Sequence, residues 1–191
     1  MQRSLVGSEM CIRDSSNIVY LVEEVVLSIV DIAKDKNIEI IFNTEEEEII
    51  TAIDEEKIVR VILILLSNSI KFSKEKGDIC VEMRREDEEV VIKVTDNGIG
   101  INEDMKEKIF DKFKRVQSVS NLNVDHEGSG LGLYIAKGFI ELHNGSISVV
   151  SEVEKGSTFI ITIPIVIIKN DLHNINHMDE DELNRIIKIE L

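Results

Sequence analysis

Three short stretches of the chain carry residues whose types and spacing could do chemistry. In HEGSGLGLYIAKG, Gly128, Gly130 and Gly132 run into an apolar-periodic segment. A glycine-rich loop opening a helix offers bare backbone N–H groups and the positive end of the helix dipole, a setting that favours phosphate. Plain turn chemistry uses the same residues. The pattern is neither a Walker loop, which ends in Gly-Lys-Ser/Thr, nor a dinucleotide fingerprint after a first strand. In DNGIG, Asp96 closes a strand and is followed by Gly98 and Gly100. A carboxylate fixed there could accept a hydrogen bond from an exocyclic amine such as that of adenine, with the glycines letting the base approach. A capping Asp before a left-handed Gly reads equally well.

In RVILILLSNSIKFS, Asn68 interrupts an apolar helix and Lys71 lies three residues on, so both project from one face. A carboxamide oxygen is a hard ligand suited to Mg²⁺, and a lysine beside it can meet phosphate charge. A surface polar pair near a helix end would look the same. Further along, IFDKFKRV leads into a polar segment, residues 114–128, with little periodicity, which reads as mobile.

The elements that must position these residues follow from periodicity. NIVYLVEEVVLSIVDIAKDKN has helical apolar spacing with Asn17 as N-cap, predicting a helix to about residue 36. IEIIFNT and EIITAID read as two strands around the acidic turn Glu45, Glu46, Glu47, Glu48. Asp54 caps a second helix to about Phe72, and the alternating segments ICVEMRRE and EVVIKVTD form a hairpin. A short helix over 103–110, an amphipathic helix over 130–144 and the strands SISVVSE and STFIITIPIV complete the order. Hairpins separated by helices predict an α+β fold: a two-layer α/β sandwich, a mixed sheet with helices on one face.

Composition limits the function. The 191 residues give room for one domain with a sizeable core. With 22 Lys plus Arg against 37 Asp plus Glu, the net charge is −15, and no basic stripe is present. Nucleic acid is therefore not an expected partner. Cys11 and Cys80 cannot make a disulfide framework, which points to a reducing cytoplasm. The longest apolar run, VILILL, is too short to span a bilayer, so no membrane contact is expected of this stretch.

Taken in order, LLSNSIKFS, DNGIGI, IFDKFKRV and HEGSGLGLYIAKGFIELHNGSISVVSEVEKGSTFIITIP resemble the N, G1, F and G2 boxes of the sensor histidine kinase catalytic domain. That family shares its ATP-binding (Bergerat) fold with DNA gyrase, Hsp90 and MutL. The resemblance covers residues 17–166, and four boxes in sequence are specific where each alone is not. It implies ATP and Mg²⁺ as cofactors. It makes Asn68 the Mg²⁺ ligand, Lys71 a phosphate contact and Phe72 part of the adenine pocket. Asp96 would bind the adenine amine, with Gly98, Gly100 and Ile101 at the floor of the pocket. Phe110 and Phe113 would anchor the start of a lid over 114–127, and Arg115 would reach the γ-phosphate. Gly128, Ser129, Gly130, Leu131, Gly132 and Leu133 would present the phosphate-binding backbone. Asn68, Lys71 and Arg115 form the implied catalytic set.

One position departs from the family. Where a first asparagine usually stands four residues before the metal-binding one, this chain has Ile64. The gyrase, Hsp90 and MutL branch places there the glutamate that activates water, and Ile64 cannot act as a general base. The implied partners are a dimerisation domain carrying the phosphoacceptor histidine and, downstream, a response regulator. His126, His143, His173 and His177 all read as surface or loop residues, so no acceptor histidine is expected here. Two other readings are a nucleotide-binding regulatory module without transfer and a protein-serine kinase of the anti-sigma type. The expected organisation is a catalytic domain over 16–168, a tail over 169–191, and a segment over 1–15 foreign to the family. Leu5 to Asp14 can be read in frame as a translated transposase adaptor. The domain is expected in the cytoplasm, its parent kinase open to membrane anchoring.

Overall fold

The computed structural model describes residues 14–74, 76–114 and 129–167. Five strands form the main sheet: β2 (Glu39–Thr44), β4 (Asp78–Glu86), β5 (Glu89–Asp96), β7 (Gly156–Pro164) and β6 (Ser146–Glu152), in that spatial order. β2 runs parallel to β4 and the remaining pairs are antiparallel. A second small sheet pairs β1 (Asp14–Asn17) with β3 (Ile50–Ile53). Helices α1 (Ile18–Lys34), α2 (Glu55–Phe72) and α3 (Gly132–Leu142) make up the other layer.

Strand alternation decides which face of the sheet they cover. Ile79, Val81 and Met83 of β4 point to the same side as Val90, Ile92 and Val94 of β5 and Phe159, Ile161 and Ile163 of β7, and all are buried. Against them α2 packs Ile58, Val61, Ile62, Leu65, Leu66 and Ile70, while α3 adds Ala136 and Ile140. Each Val, Ile, Leu, Met or Phe among them contributes about 1.5–3 kcal/mol of burial. The two-layer mixed sandwich is the architecture expected from the sequence. No helix among the described residues is long and apolar enough to cross a membrane.

Two elements differ from the pattern-based expectation. The segments over 38–44 and 48–54 do not pair with each other. β2 instead joins the edge of the main sheet, with Ile40 opposite Ile79 and Phe42 opposite Val81, and α2 lies in the crossover that a parallel pair requires. β3 buries Thr51, Ala52 and Ile53 and is flanked on both sides, by β1 and by the chain leaving β7, where the Ala52 N–H donates to Val166 O at 2.7 Å. The expected helix over 103–110 is two 3₁₀ turns, Glu103–Met105 and Lys108–Phe110; the second seats Ile109 and Phe110 in the core.

His143 is not a surface residue. It is buried just beyond α3, where its Nε2 accepts the Asp54 N–H at 3.0 Å and its Nδ1 lies 2.7 Å from Phe139 O. The first bond makes Nε2 the acceptor, so the ring carries its proton on Nδ1 and donates it to Phe139. His126, His173 and His177 lie outside the described residues.

Asp54 caps α2 by accepting the Lys57 N–H at 3.1 Å, and its carboxylate also meets the Lys57 ammonium. The Lys57 hydrogen bond holds its carboxyl below the ordinary 3.8, with burial opposing. A lowered folded pKa contributes stability above the unfolded value that is lost as pH falls through the folded one. Asp54→Ala is therefore expected to cost about 1 kcal/mol in urea unfolding at neutral pH. The gap between variant and parent should shrink below the unfolded carboxylate pKa.

Candidate functional site

A cavity of about 470 Å³ opens between α2, the start of α3 and the C-terminal end of β5. One stripe of α2 lines it: Arg60, Ile64, Ser67, Asn68, Lys71 and Phe72 recur at helical spacing, so all face one way while the apolar stripe faces the sheet.

Asp96 sits at the closed end and is only 6% exposed. Its Oδ1 accepts the Gly98 N–H at 2.9 Å and the Ser157 N–H at 3.3 Å; its Oδ2 accepts the Ser69 hydroxyl at 3.3 Å. Burial pushes the Asp96 carboxyl above the usual carboxylate range, against the three hydrogen bonds that pull it down. Oδ2 has one partner among the described residues and lone-pair capacity left for a donor in the cavity.

The loop after Asp96 is tied from three sides. Ile99 N–H donates to Phe72 O at 3.2 Å, Ile101 N–H to Ser151 Oγ at 2.8 Å, and Glu154 N–H to Ile99 O at 2.8 Å. Lys74 holds the same β6–β7 turn, with its Nζ 2.8 Å from Glu154 O. Packing gives the two glycines of this loop a reason beyond base approach. A Cβ on Gly98 would lie 2.4 Å from Phe72 O, and one on Gly100, at φ +70°, would lie 2.0 Å from Glu152 O. Gly100 and Ile101 line the cavity, whereas Gly98 is not among its lining residues.

At the opposite end, Ser129, Gly130, Gly132 and Leu133 line the cavity where α3 begins. Leu131 precedes the helix and gives no side-chain cap, so first-turn N–H groups are left for a ligand, as phosphate binding at a helix start requires. The Leu131 side chain is not among the lining groups. Its carbonyl accepts the Ile135 N–H at 2.9 Å. Ile64 packs at this helix start, its Cγ2 3.2 Å from where a Gly132 Cβ would stand.

Phe110 is buried, as an anchor would be, but Phe113 is 64% exposed and absent from the lining. Its backbone makes the connection instead, the Phe113 N–H donating to Gly130 O at 3.1 Å. Arg115 and Gly128, with the segment 115–127, lie outside the described residues. Lys114, the last residue before them, lines the cavity.

No cluster of three or more His, Cys, Asp or Glu that could hold a metal occurs among the described residues. The hard donor that the resemblance implied for a metal, the Asn68 carboxamide, lines the cavity. That suits Mg²⁺, which keeps several waters and takes its remaining ligands from phosphates. Sequence reasoning did not single out Arg60, Ser69 or Ser157. Arg60 was legible as one turn before Ile64. Ser69 and Ser157 reach Asp96 only through the fold.

Residues 53–167 match the family of histidine kinase-, DNA gyrase B- and HSP90-like ATPases. The chain is 35% identical over 136 residues to the sensor histidine kinase WalK of Bacillus subtilis, covering 70% of this chain and 22% of WalK. It is 39% identical over 131 residues to the sensor protein RprX of Bacteroides fragilis, covering 68% of this chain and 24% of RprX. The chain thus spans a quarter or less of the length of these curated relatives. The nucleotide-free catalytic domain of histidine kinase ThkA superposes with a TM-score of 0.70 at 30% identity, covering 81% of this chain and 96% of that one. ThkA in complex with the response regulator TrrA gives a TM-score of 0.68 at 28% identity, covering 81% of this chain and 42% of that one.

Proposed function

The chain belongs to the family of histidine kinase-, DNA gyrase B- and HSP90-like ATPases, and from that membership we propose that it binds Mg-ATP in the α2–α3 cavity and donates the γ-phosphate to a histidine on a separate dimerisation domain. The observation that carries this reading is the Asp96 carboxylate, buried and held by three hydrogen bonds at one end of a cavity whose other end is an uncapped helix start.

In this reading Asp96 Oδ2 accepts a hydrogen bond from the adenine amine, with Phe72, Gly100, Ile101 and Phe159 enclosing the base. Lys71 and the backbone N–H groups from Ser129 to Leu133 bind phosphate oxygens. Asn68 holds Mg²⁺, which supplies neutralisation of phosphate charge. An imidazole nitrogen of the acceptor domain attacks the γ-phosphorus in line, the bond to the bridging oxygen breaks, and ADP leaves. Catalysis here is positioning and charge stabilisation. Residues 16–168 act as the catalytic domain of a two-component kinase in the cytoplasm, and a response regulator receives the phosphoryl group in turn. The ThkA–TrrA complex supports that last step by likeness.

The described part of the chain offers no acceptor, because both ring nitrogens of the buried His143 are engaged. Incubated alone with γ-labelled ATP, the protein is expected to stay unlabelled. With a fragment bearing the dimerisation helices, acid-labile label should appear on that fragment's histidine. Labelled histidine on this chain alone would sink the proposal. ATP binding with no transfer in trans would leave a nucleotide-binding module, an outcome that Ile64 at the phosphate end would explain.

A further inference from the structure

Arg60 lines the cavity, yet no motif assigns it a role. It stands on the α2 stripe one turn before Ile64 and two turns before Asn68. At 1.5 Å per residue it lies about 6 Å beyond Ile64 and about 12 Å beyond Asn68 along the helix axis. The order along α2 is informative. Its C-terminal end meets Asp96 through Ser69, and Ile64 meets the start of α3 through Gly132. Arg60 therefore falls past the helix start that would take phosphate, on the side away from the base.

Charge supports the same placement. The chain carries −15 overall, so a triphosphate must be held by local cations. Among the described residues the Arg60 guanidinium has no ion pair or hydrogen bond, whereas Lys57 is paired with Asp54, Lys74 with Glu154 and Lys137 with Glu141. A planar fork of donors matches a phosphate bidentately, which a lysine cannot do. Beside it, Ile64 offers the phosphate end no polar group.

We propose that Arg60 binds the terminal phosphate of the nucleotide, supplying from α2 the polar contact that Ile64 cannot make. This rests on the proposed function, and deepens it by naming what distinguishes ATP from ADP in this site. The test is calorimetric titration of ATP and of ADP, each with Mg²⁺, into the parent chain, Arg60→Gln, Arg60→Lys and Arg84→Gln. Arg84 lies on β4, half-exposed, paired with Glu86 and outside the cavity lining, so its variant reports the loss of one positive charge away from the site.

Arg60→Gln is expected to weaken ATP about tenfold, the scale of one hydrogen bond to a charged group, and ADP less than twofold. Arg60→Lys should recover part of the loss, and Arg84→Gln should change neither. Equal weakening of ATP and ADP, or unchanged ATP affinity in Arg60→Gln, overturns the assignment while leaving the nucleotide site standing. Loss of transfer in trans with both affinities intact would place Arg60 at the partner interface, which also overturns it. A parent chain that binds neither nucleotide removes the proposed function itself.

Discussion

The Asp96→Asn variant is expected to bind a fluorescent ATP analogue about a hundredfold or more weakly, while melting no lower than the parent chain. Both halves follow from one side chain. An asparagine fits the existing hydrogen bonds. Its carbonyl can take the place of Oδ1, accepting from Gly98 and Ser157, and its amide nitrogen can donate to Ser69 Oγ, which rotates to accept. The cavity-facing lone pair becomes an N–H, and a donor then confronts the adenine amine.

Stability moves the other way. Burial raises the Asp96 pKa above the ordinary 3.8, so ionisation costs the folded state. This group's contribution to stability is greatest when it is protonated and falls as pH rises from the unfolded value through the folded one. Asparagine removes that cost. In the parent chain nucleotide affinity should fall on acidification through the raised folded pKa, since the proposed contact to the base uses the ionised form. The variant should lack that dependence. Unchanged analogue binding by Asp96→Asn would mean that the base is not held there.

Gly100→Ala is expected to destabilise the protein by about 3 kcal/mol or more in urea unfolding. At φ +70° an alanine is strained by about 1–2 kcal/mol, and its Cβ would stand 2.0 Å from Glu152 O, a backbone atom that cannot step aside alone. Moving it displaces Ser151, whose hydroxyl accepts the Ile101 N–H at 2.8 Å and sits 3.0 Å from Ser157 Oγ. Ser157 in turn donates its N–H to Asp96, so nucleotide affinity should fall with stability. Gly138→Ala is the control. Beyond its chain neighbours and its own helix backbone, no atom lies within 4 Å of its added Cβ, so removing a mid-helix glycine should stabilise α3 by about 1 kcal/mol. A Gly100→Ala protein as stable as the parent would show that the loop has another conformation available.

What could be read before folding was local. Asn17 and Asp54 cap the helices they were expected to cap, because a cap bonds within three residues of itself. The β4–β5 and β6–β7 hairpins have short turns and alternating strands, so their pairing also needs only near neighbours. The parting of β2 from β3 had no such signal. Either strand could satisfy its hydrogen bonds in a hairpin, and the choice went to parallel pairing on the sheet edge and to contact with Val166, more than a hundred residues away. His143 escaped notice for the same reason, since its partner Asp54 N–H comes from another helix.

The sequence alone determined the family, through four boxes in order, and singled out Asn68, Lys71, Asp96 and the glycine run as the residues proposed for its site. Only the tertiary structure brought Ser69 and Ser157 onto Asp96, turned Phe113 outward, set Arg60 in the cavity wall with Ile64 and Asn68, and made Gly100 a packing requirement of the β6–β7 turn. The division is physical. Periodicity, caps and turn residues act over a few positions along the chain, whereas the polar environment of a buried carboxylate is assembled from segments that only the core brings together.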